Sequence, residues 1–446
     1  MTPATRLGVA EAASEIAKAR LSATVLIDRL LERIEAIDPT LNSYITVMAD
    51  SAREAAREAD VAARAGKPLG PLHGVPIALK DLYATKGVRT TFACAAFADW
   101  TPDYDATVVT RLKRAGAIIL GKQNMHEAAA GSSSLVSHFG PVRNPWSVEH
   151  IAGGSSGGSA AALAAGLAAG ALGSDTAMSI RQPAAYCGVV GLKPTFGRVS
   201  KHGALTLSWS LDHAGPMTRS SRDAALLLQA IAGFDPQDPS SAHIEVLDYL
   251  SALTGDLTGL RIGAPRRHFF EQCSPAVIAA VELAIETLRR LGATVSDCEL
   301  PDPEDTLMFG RAILRIEASA YHAERLKRAA LNSAPFSICR LSAFAAFSLR
   351  SSRAPWSRST PSSRLLRRAR RSASSKTSRL GRAHACATPC RSISLAFQPS
   401  RSHAASTRRA FRSAYRSSAI RSTQRPLYGS QMHTNVSLNG HAAVLH

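Results

Sequence analysis

The feature that most constrains this chain of 446 residues is where its acids stop. Between Pro335 and His446 there are 20 Lys and Arg and no Asp or Glu, with 19 Arg and 24 Ser dominating the segment. Residues 1–334 hold the other 33 bases against all 34 acids. The formal net charge of +19 therefore belongs to the last quarter alone. A chain basic throughout would suggest a nucleic-acid partner; here the first three quarters are nearly neutral, as in an ordinary soluble enzyme. The composition divides the chain into a globular part, residues 1–330, and an Arg/Ser-rich segment, residues 331–446, in which helix and strand periods fade and disorder is expected.

Within the globular part, hydrophobic spacing alternates between helix and strand. Ser22 opens a helix in which Val25, Leu26, Leu30, Ile34 and Ile37 recur on one face, with Asp38-Pro39 expected to stop it. The runs Gly74–Leu79, Ala117–Leu120 and Leu260–Gly263 read as short strands. Val108–Arg114 and Pro275–Leu291 read as helices. Such alternation indicates an α/β sheet. The Ala/Gly-rich stretch Ser159–Leu172 is too short and too weakly apolar to span a membrane and reads as a buried helix. The first forty residues carry acids and an amphipathic pattern, which is not a secretory signal. Seven cysteines in no paired spacing fit a reducing compartment, so a cytoplasmic location is expected.

Three segments carry the chemistry: GVPIALKDL around Lys80, GGSSGGSAAALAAG from Gly153, and GSDTAMSIRQPAAYCGVVGLKPTFGRVS from Gly173. Together they resemble the amidase signature family, with LGKQNMHEAAAGSSS and LDHAGPMTRS as flanking pieces and the likeness running from about Val25 to about Leu326. The resemblance implies an α/β/α fold with a central mixed β-sheet, here incomplete at its C-terminal end. It implies no metal or organic cofactor. It assigns Ser179 as nucleophile, Ser155 as a bridging serine held across a cis peptide, and Lys80 as general base. It maps the oxyanion turn to Thr176, Ala177, Met178 and Ser179.

The residue types suit that chemistry. A serine hydroxyl needs a base within hydrogen-bond reach. A lysine serves as base only when neutral, and burial lowers its pKa by penalising the charged form. A hydroxyl between the two passes the proton one way and returns it to the leaving nitrogen. Gly153, Gly154 and Ser156 support the loop, and Asp175 and Arg181 read as an ion pair bracing the nucleophile turn. The family usually has glycines where Ala177 and Met178 stand. Those side chains are expected to strain the turn and narrow the pocket, weakening activity.

Other readings of the same residues stay open on sequence alone. Ser155 and Ser156 also suit loop serines capping the helix that follows. Gly154–Gly158 matches the G-x-S-x-G nucleophile elbow, which needs a strand directly before it, and Asn144-Pro145-Trp146 reads as a poor one. Lys193 reads as structural. His73, His126, His138 and His213 show no metal-ligand spacing.

The family normally continues past the signature with a segment like FNLTGLPAISVPCGF and then GLPIGLQIIG, and neither occurs here. Back-translating Arg391–Thr423 in a shifted frame permits both. The sequence therefore suggests that the chain leaves the family's frame between about Leu326 and Ala345, which would make the Arg/Ser excess a translation artefact. Coding DNA with no alternative frame continuing the family would refute this. The expected function is hydrolysis of a small carboxamide to carboxylate and ammonia through a seryl acyl-enzyme. One rival is the glutamine-hydrolysing subunit of a tRNA-dependent amidotransferase; another is an inactive hydrolase domain with a basic nucleic-acid-binding tail. The partner expected is a small-molecule amide, with no nucleic acid and no membrane; a homodimer is compatible with the sequence.

Overall fold

The computed structural model describes residues 4–67, 70–271 and 273–332. The reading-frame change and the disorder expected of the Arg/Ser-rich segment concern, beyond residue 332, residues outside those described.

In chain order the strands are β1 (Tyr44–Val47), β2 (Pro76–Lys80), β3 (Ile118–Gln123), β4 (Arg143–Asn144), β5 (Ser147–Ile151), β6 (Gly170–Asp175), β7 (Val190–Gly191), β8 (His213–Thr218), β9 (Arg261–Ala264) and β10 (Thr294–Asp297). The α-helices are α1 (Val9–Ala17), α2 (Ala23–Leu41), α3 (Ala49–Arg64), α4 (Thr107–Arg114), α5 (Gly157–Ala165), α6 (Arg181–Cys187), α7 (Ser221–Ile231), α8 (Pro275–Arg290) and α9 (Pro303–Asn332). Six strands form one sheet in the order β1-β3-β2-β6-β8-β7. The β3/β2 and β2/β6 pairs are parallel and the others antiparallel, so the sheet is mixed. Every residue of β2, β3 and β6 is buried, as expected for parallel strands covered on both faces. The α/β class with a central mixed sheet is what the structure has.

The α2 helix is capped by Ser22, whose Oγ accepts from the Val25 N–H at 3.3 Å. It does not stop at Asp38-Pro39. Pro39 lies inside its last turn, and the helix ends when Asn42 turns left-handed at φ 55°. Asp38 instead accepts the Ser43 and Tyr44 N–H groups at 2.9 and 3.1 Å, fixing the step into β1. The Ala/Gly-rich stretch is also not one helix. Gly166, at φ +71°, ends α5, and the chain re-enters the sheet as β6. α5 is buried at every position, since its Gly, Ser and Ala side chains let sheet and helices close around it.

A strand, β5, does run up to the loop at Gly153, where the sequence suggested a poor one. It pairs only with β4, in a two-stranded ribbon outside the central sheet. β9 and β10 form a separate parallel pair with α8 beside them. On α8 and α9, Leu283, Met308, Phe309 and Ile316 are exposed.

Candidate active site

Lys80 is the last residue of β2, and its side chain is fully buried. Lys80 is therefore not a solvent-facing lysine at a strand end. Nζ donates to Ser155 Oγ at 2.6 Å and to Ser174 Oγ at 2.8 Å. Burial lowers its pKa to about 7, against the opposing pull of Asp212 and Asp175. A buried amine poised near neutrality, held on a hydroxyl, is what general-base catalysis requires.

Ser155 follows a cis peptide bond with Gly154. The bend before it needs glycine at Gly153: φ is +82°, and a Cβ there would sit 2.7 Å from Pro183 Cα. The Gly154 N–H donates to Gln182 Oε1 at 3.2 Å, and Ser155 C=O accepts from the His126 N–H at 3.0 Å. The backbone around Ser155 is therefore gripped from both sides. Ser156 stands at the start of α5 but its side chain does not cap it. Its Oγ donates to Ser174 C=O at 3.2 Å and accepts from Ser174 N–H at 3.3 Å, locking the loop to β6. The Ser156 N–H donates to Ser179 C=O at 3.1 Å, which brings the segments of Ser155 and Ser179 together.

Ser179 is 7% exposed and lies in the turn between β6 and α6. Asp175, the last residue of β6, accepts from the Ile180 N–H at 3.1 Å and from Arg181 Nε at 3.0 Å. Arg181 Nη2 also donates to Ala177 C=O at 2.6 Å. This ion pair staples the turn across its base. Neither Ala177 nor Met178 has positive φ, so the turn forms without the left-handed backbone that glycine would supply. The backbone strain expected of these two residues is thus not seen at their φ angles, and Arg181 and Asp175 hold the turn by the bonds just described.

Three participants were not legible as such. Ser174, a second partner of the Lys80 amine, could have been found from the parallel register, in which Leu79 faces Leu172. Gln182 grips the backbone before Ser155. Asp212 accepts from Thr176 Oγ1 at 2.6 Å. Tyr83, Ser174, Thr176, Lys201, Asp212 and His213 line one cavity beside Lys80. His213 Nδ1 faces the carbonyls of Leu211 and Asp175 at 2.7 and 3.2 Å and so carries the proton, leaving Nε2 as acceptor for Lys193 Nζ at 3.3 Å. Gln182→Ala removes the partner of a part-buried N–H, a loss of about 1–3 kcal/mol. We expect kcat to fall about 10-fold or more with KM little changed, as steady-state kinetics would show, if the displaced Ser155 carries the relay that the sequence resemblance implies rather than a substrate contact.

The family model described as Amidase matches residues 25–381. The chain is 50% identical over 291 residues to the A subunit of the glutamyl-tRNA(Gln) amidotransferase of Moorella thermoacetica, covering 65% of this chain and 60% of that protein. It is 51% identical over 315 residues to the corresponding protein of Azotobacter vinelandii, covering 71% and 65%. It thus spans less than two thirds of the length of these relatives. Among solved structures, the peptide amidase of Stenotrophomonas maltophilia superposes with a TM-score of 0.68 at 38% identity, covering 77% of this chain and 72% of that one. The A subunit of the glutamyl-tRNA(Gln) amidotransferase of Thermotoga maritima superposes with a TM-score of 0.66 at 34% identity, covering 78% of this chain and 74% of that one. Among the described residues no helix is long and apolar enough to cross a membrane. Since the family match takes in most of the chain, including all three segments that converge on Lys80, the chain belongs to the amidase family.

Proposed function

We propose that this chain hydrolyses a carboxamide through an acyl-enzyme on Ser179. The observation that carries this reading is the buried Lys80 amine, near neutrality and 2.6 Å from Ser155 Oγ. Ser179 Oγ attacks the amide carbon as its proton passes to Ser155 Oγ, whose own proton passes to Lys80 Nζ. The carbonyl oxygen becomes an oxyanion facing the N–H groups of the turn from Thr176 to Ser179, each donor in such a site being worth about 3 kcal/mol. When the intermediate collapses, Lys80 returns the proton through Ser155 to the departing nitrogen, and ammonia leaves. Water then enters by the same relay, and Ser179 is released from the carboxylate. The staple formed by Asp175 and Arg181 keeps the turn in place through both halves.

Sequence alone put a free-standing amidase first. The relatives shift the preference to the rival: a glutamine-hydrolysing component whose ammonia goes to a partner, because amidotransferase proteins of that kind are 50% and 51% identical to this chain. The peptide amidase resemblance supports the free-standing alternative. Incubation with glutamine, alone and with the partner proteins of an amidotransferase, separates them. Ammonia release that depends on the partner supports the first reading; release from a simple amide without any partner supports the second. In either case mass spectrometry of a quenched reaction should find the acyl group on the peptide containing Ser179, and Ser179→Ala should show none. An acyl group carried elsewhere would remove Ser179 from the mechanism. The altered reading frame remains a proposal, tested by the DNA around codons 320–350.

A further inference from the structure

Asp212 lies just before β8 and lines the same cavity as Ser174, the second hydroxyl on the Lys80 amine. Its Oδ1 accepts from Thr176 Oγ1 at 2.6 Å. Its Oδ2 accepts the Leu207 and Ser208 N–H groups at 2.9 and 3.0 Å. Burial raises its pKa, and the three donors converging on the carboxylate oppose that shift by favouring the charged form. The other charged groups around the site are already engaged. Asp175 is paired with Arg181 at 3.0 Å, and Asp81 with Lys122 at 3.0 Å. Glu317, from α9, accepts from Ser208, Ser210 and the Ser210 N–H. Lys201 donates to Trp209 C=O at 2.7 Å and lies over the Phe196 ring. Lys193 faces His213, whose Nδ1 is turned to carbonyls. Tyr83 donates its hydroxyl to Gly173 C=O at 2.6 Å. Among the described residues no cation comes within ion-pair distance of Asp212; Lys201, which lines the same cavity, acts on it from farther away and, like the three donors, favours the charged carboxylate.

We propose that Asp212 is a positioning residue for this site: through Thr176 it fixes the first residue of the nucleophile turn, and its charge sets the field in which the Lys80 amine exchanges its proton. The carboxylate and the hydroxyl it holds come from the ends of two sheet neighbours, β8 and β6, so one side chain links the geometry of the turn to the electrostatics of the base. A carboxylate of this kind stabilises the ammonium form. It opposes burial, which by itself would push Lys80 lower and leave a weaker base. The consequence is a balance: enough burial to free the amine near pH 7, enough negative charge to keep it basic.

The inference rests on the reading of Lys80 as the base, and its test does not require turnover. In the full chain labelled with 13C-lysine, the Lys80 Cε resonance, assigned by its loss in Lys80→Met, is followed by NMR as pH is varied. The wild-type midpoint is expected near 7. Asp212→Asn should lower it by about 1 pH unit, and Asp212→Glu should keep it close to wild type. A midpoint unmoved in Asp212→Asn would overturn the electrostatic role. Thr176→Val tests the positioning role, and serves alone if Asp212→Asn does not fold. It keeps the charge and removes the bond, so the midpoint should hold while labelling of Ser179 by a fluorophosphonate slows about 10-fold. Labelling at the wild-type rate would overturn that half. If the wild-type chain takes no fluorophosphonate, the functional reading fails, and the Lys80 titration still decides the role of Asp212.

Discussion

Replacing Lys80 with Met is expected to remove amide hydrolysis and, at the same time, to make the folded chain more stable at pH 7. Loss of a positioned general base typically lowers the rate by about 10²–10⁴-fold. The stability effect follows from where the proton sits. An unfolded lysine has a pKa of about 10.4, so at pH 7 it is fully protonated while the buried amine, at about 7, has lost about half of its proton. Burial therefore costs stability at every pH below about 10.4. Stability rises as pH climbs from about 7 towards 10.4, and below about 7 the cost is constant, on the order of 5 kcal/mol. Methionine carries no such linkage. It forfeits the bonds to Ser155 and Ser174, a loss of about 1–3 kcal/mol. The net expectation is a higher Tm at pH 7, with the gain shrinking as pH approaches 10. Wild-type activity should likewise rise with pH through about 7 as the amine becomes neutral. Thermal melts of both proteins at pH 6, 7 and 9 check this, alongside ammonia release. A Tm lowered at every pH would mean that Lys80 is held charged in the folded protein and is no base.

The parts of this site that were legible in the sequence are those that depend on local residue types. Lys80, Ser155 and Ser179 are legible because three short segments resemble the amidase signature, and the residue types within each segment suit the roles that the resemblance implies. The first turn of α2 was equally readable, since Ser22 caps its own helix. What stayed hidden depends on which strands become neighbours. Ser174 meets Lys80 because β6 lies parallel to β2, although some ninety residues separate them. Asp212 reaches Thr176 because β8 runs antiparallel to β6. Pro39 misled for a different reason. A proline usually ends a helix, but in the last turn the geometry of Asn42 decides the end. The Ala-rich stretch misled because alanine and glycine suit a buried helix and a buried strand alike, and only the left-handed Gly166 separates the two.

The largest loss of stability should come from a second buried lysine, one step along the same pair of strands. Lys122 lies on β3 opposite Leu79 of β2, and its Nζ is 3.0 Å from Asp81 Oδ1, with both side chains fully buried. Nζ also donates to Tyr83 C=O at 2.9 Å and Thr90 Oγ1 at 2.6 Å. Burial lowers its pKa while Asp81 pulls it back up, so this lysine keeps a carboxylate partner that Lys80 lacks. That difference separates this lysine from Lys80, which we propose as the base. Asp81 is also the residue after Lys80, and it accepts the Thr91 N–H at 2.8 Å, so the pair anchors the end of β2 from which Lys80 projects. Lys122→Met leaves the buried Asp81 carboxylate without its counter-charge, and removing one partner of a buried pair typically costs about 3–5 kcal/mol. Changing both residues, Asp81→Asn with Lys122→Met, removes both charges and should recover part of that loss, giving a coupling of about 2 kcal/mol in urea unfolding. Losses that simply add, with the double variant losing the sum of what Asp81→Asn and Lys122→Met each lose alone, would show that the two charges do not interact. The same series tests the site, because a strand end that shifts carries the Lys80 amine with it: kcat should fall in Lys122→Met and partly return in the double variant, in step with stability.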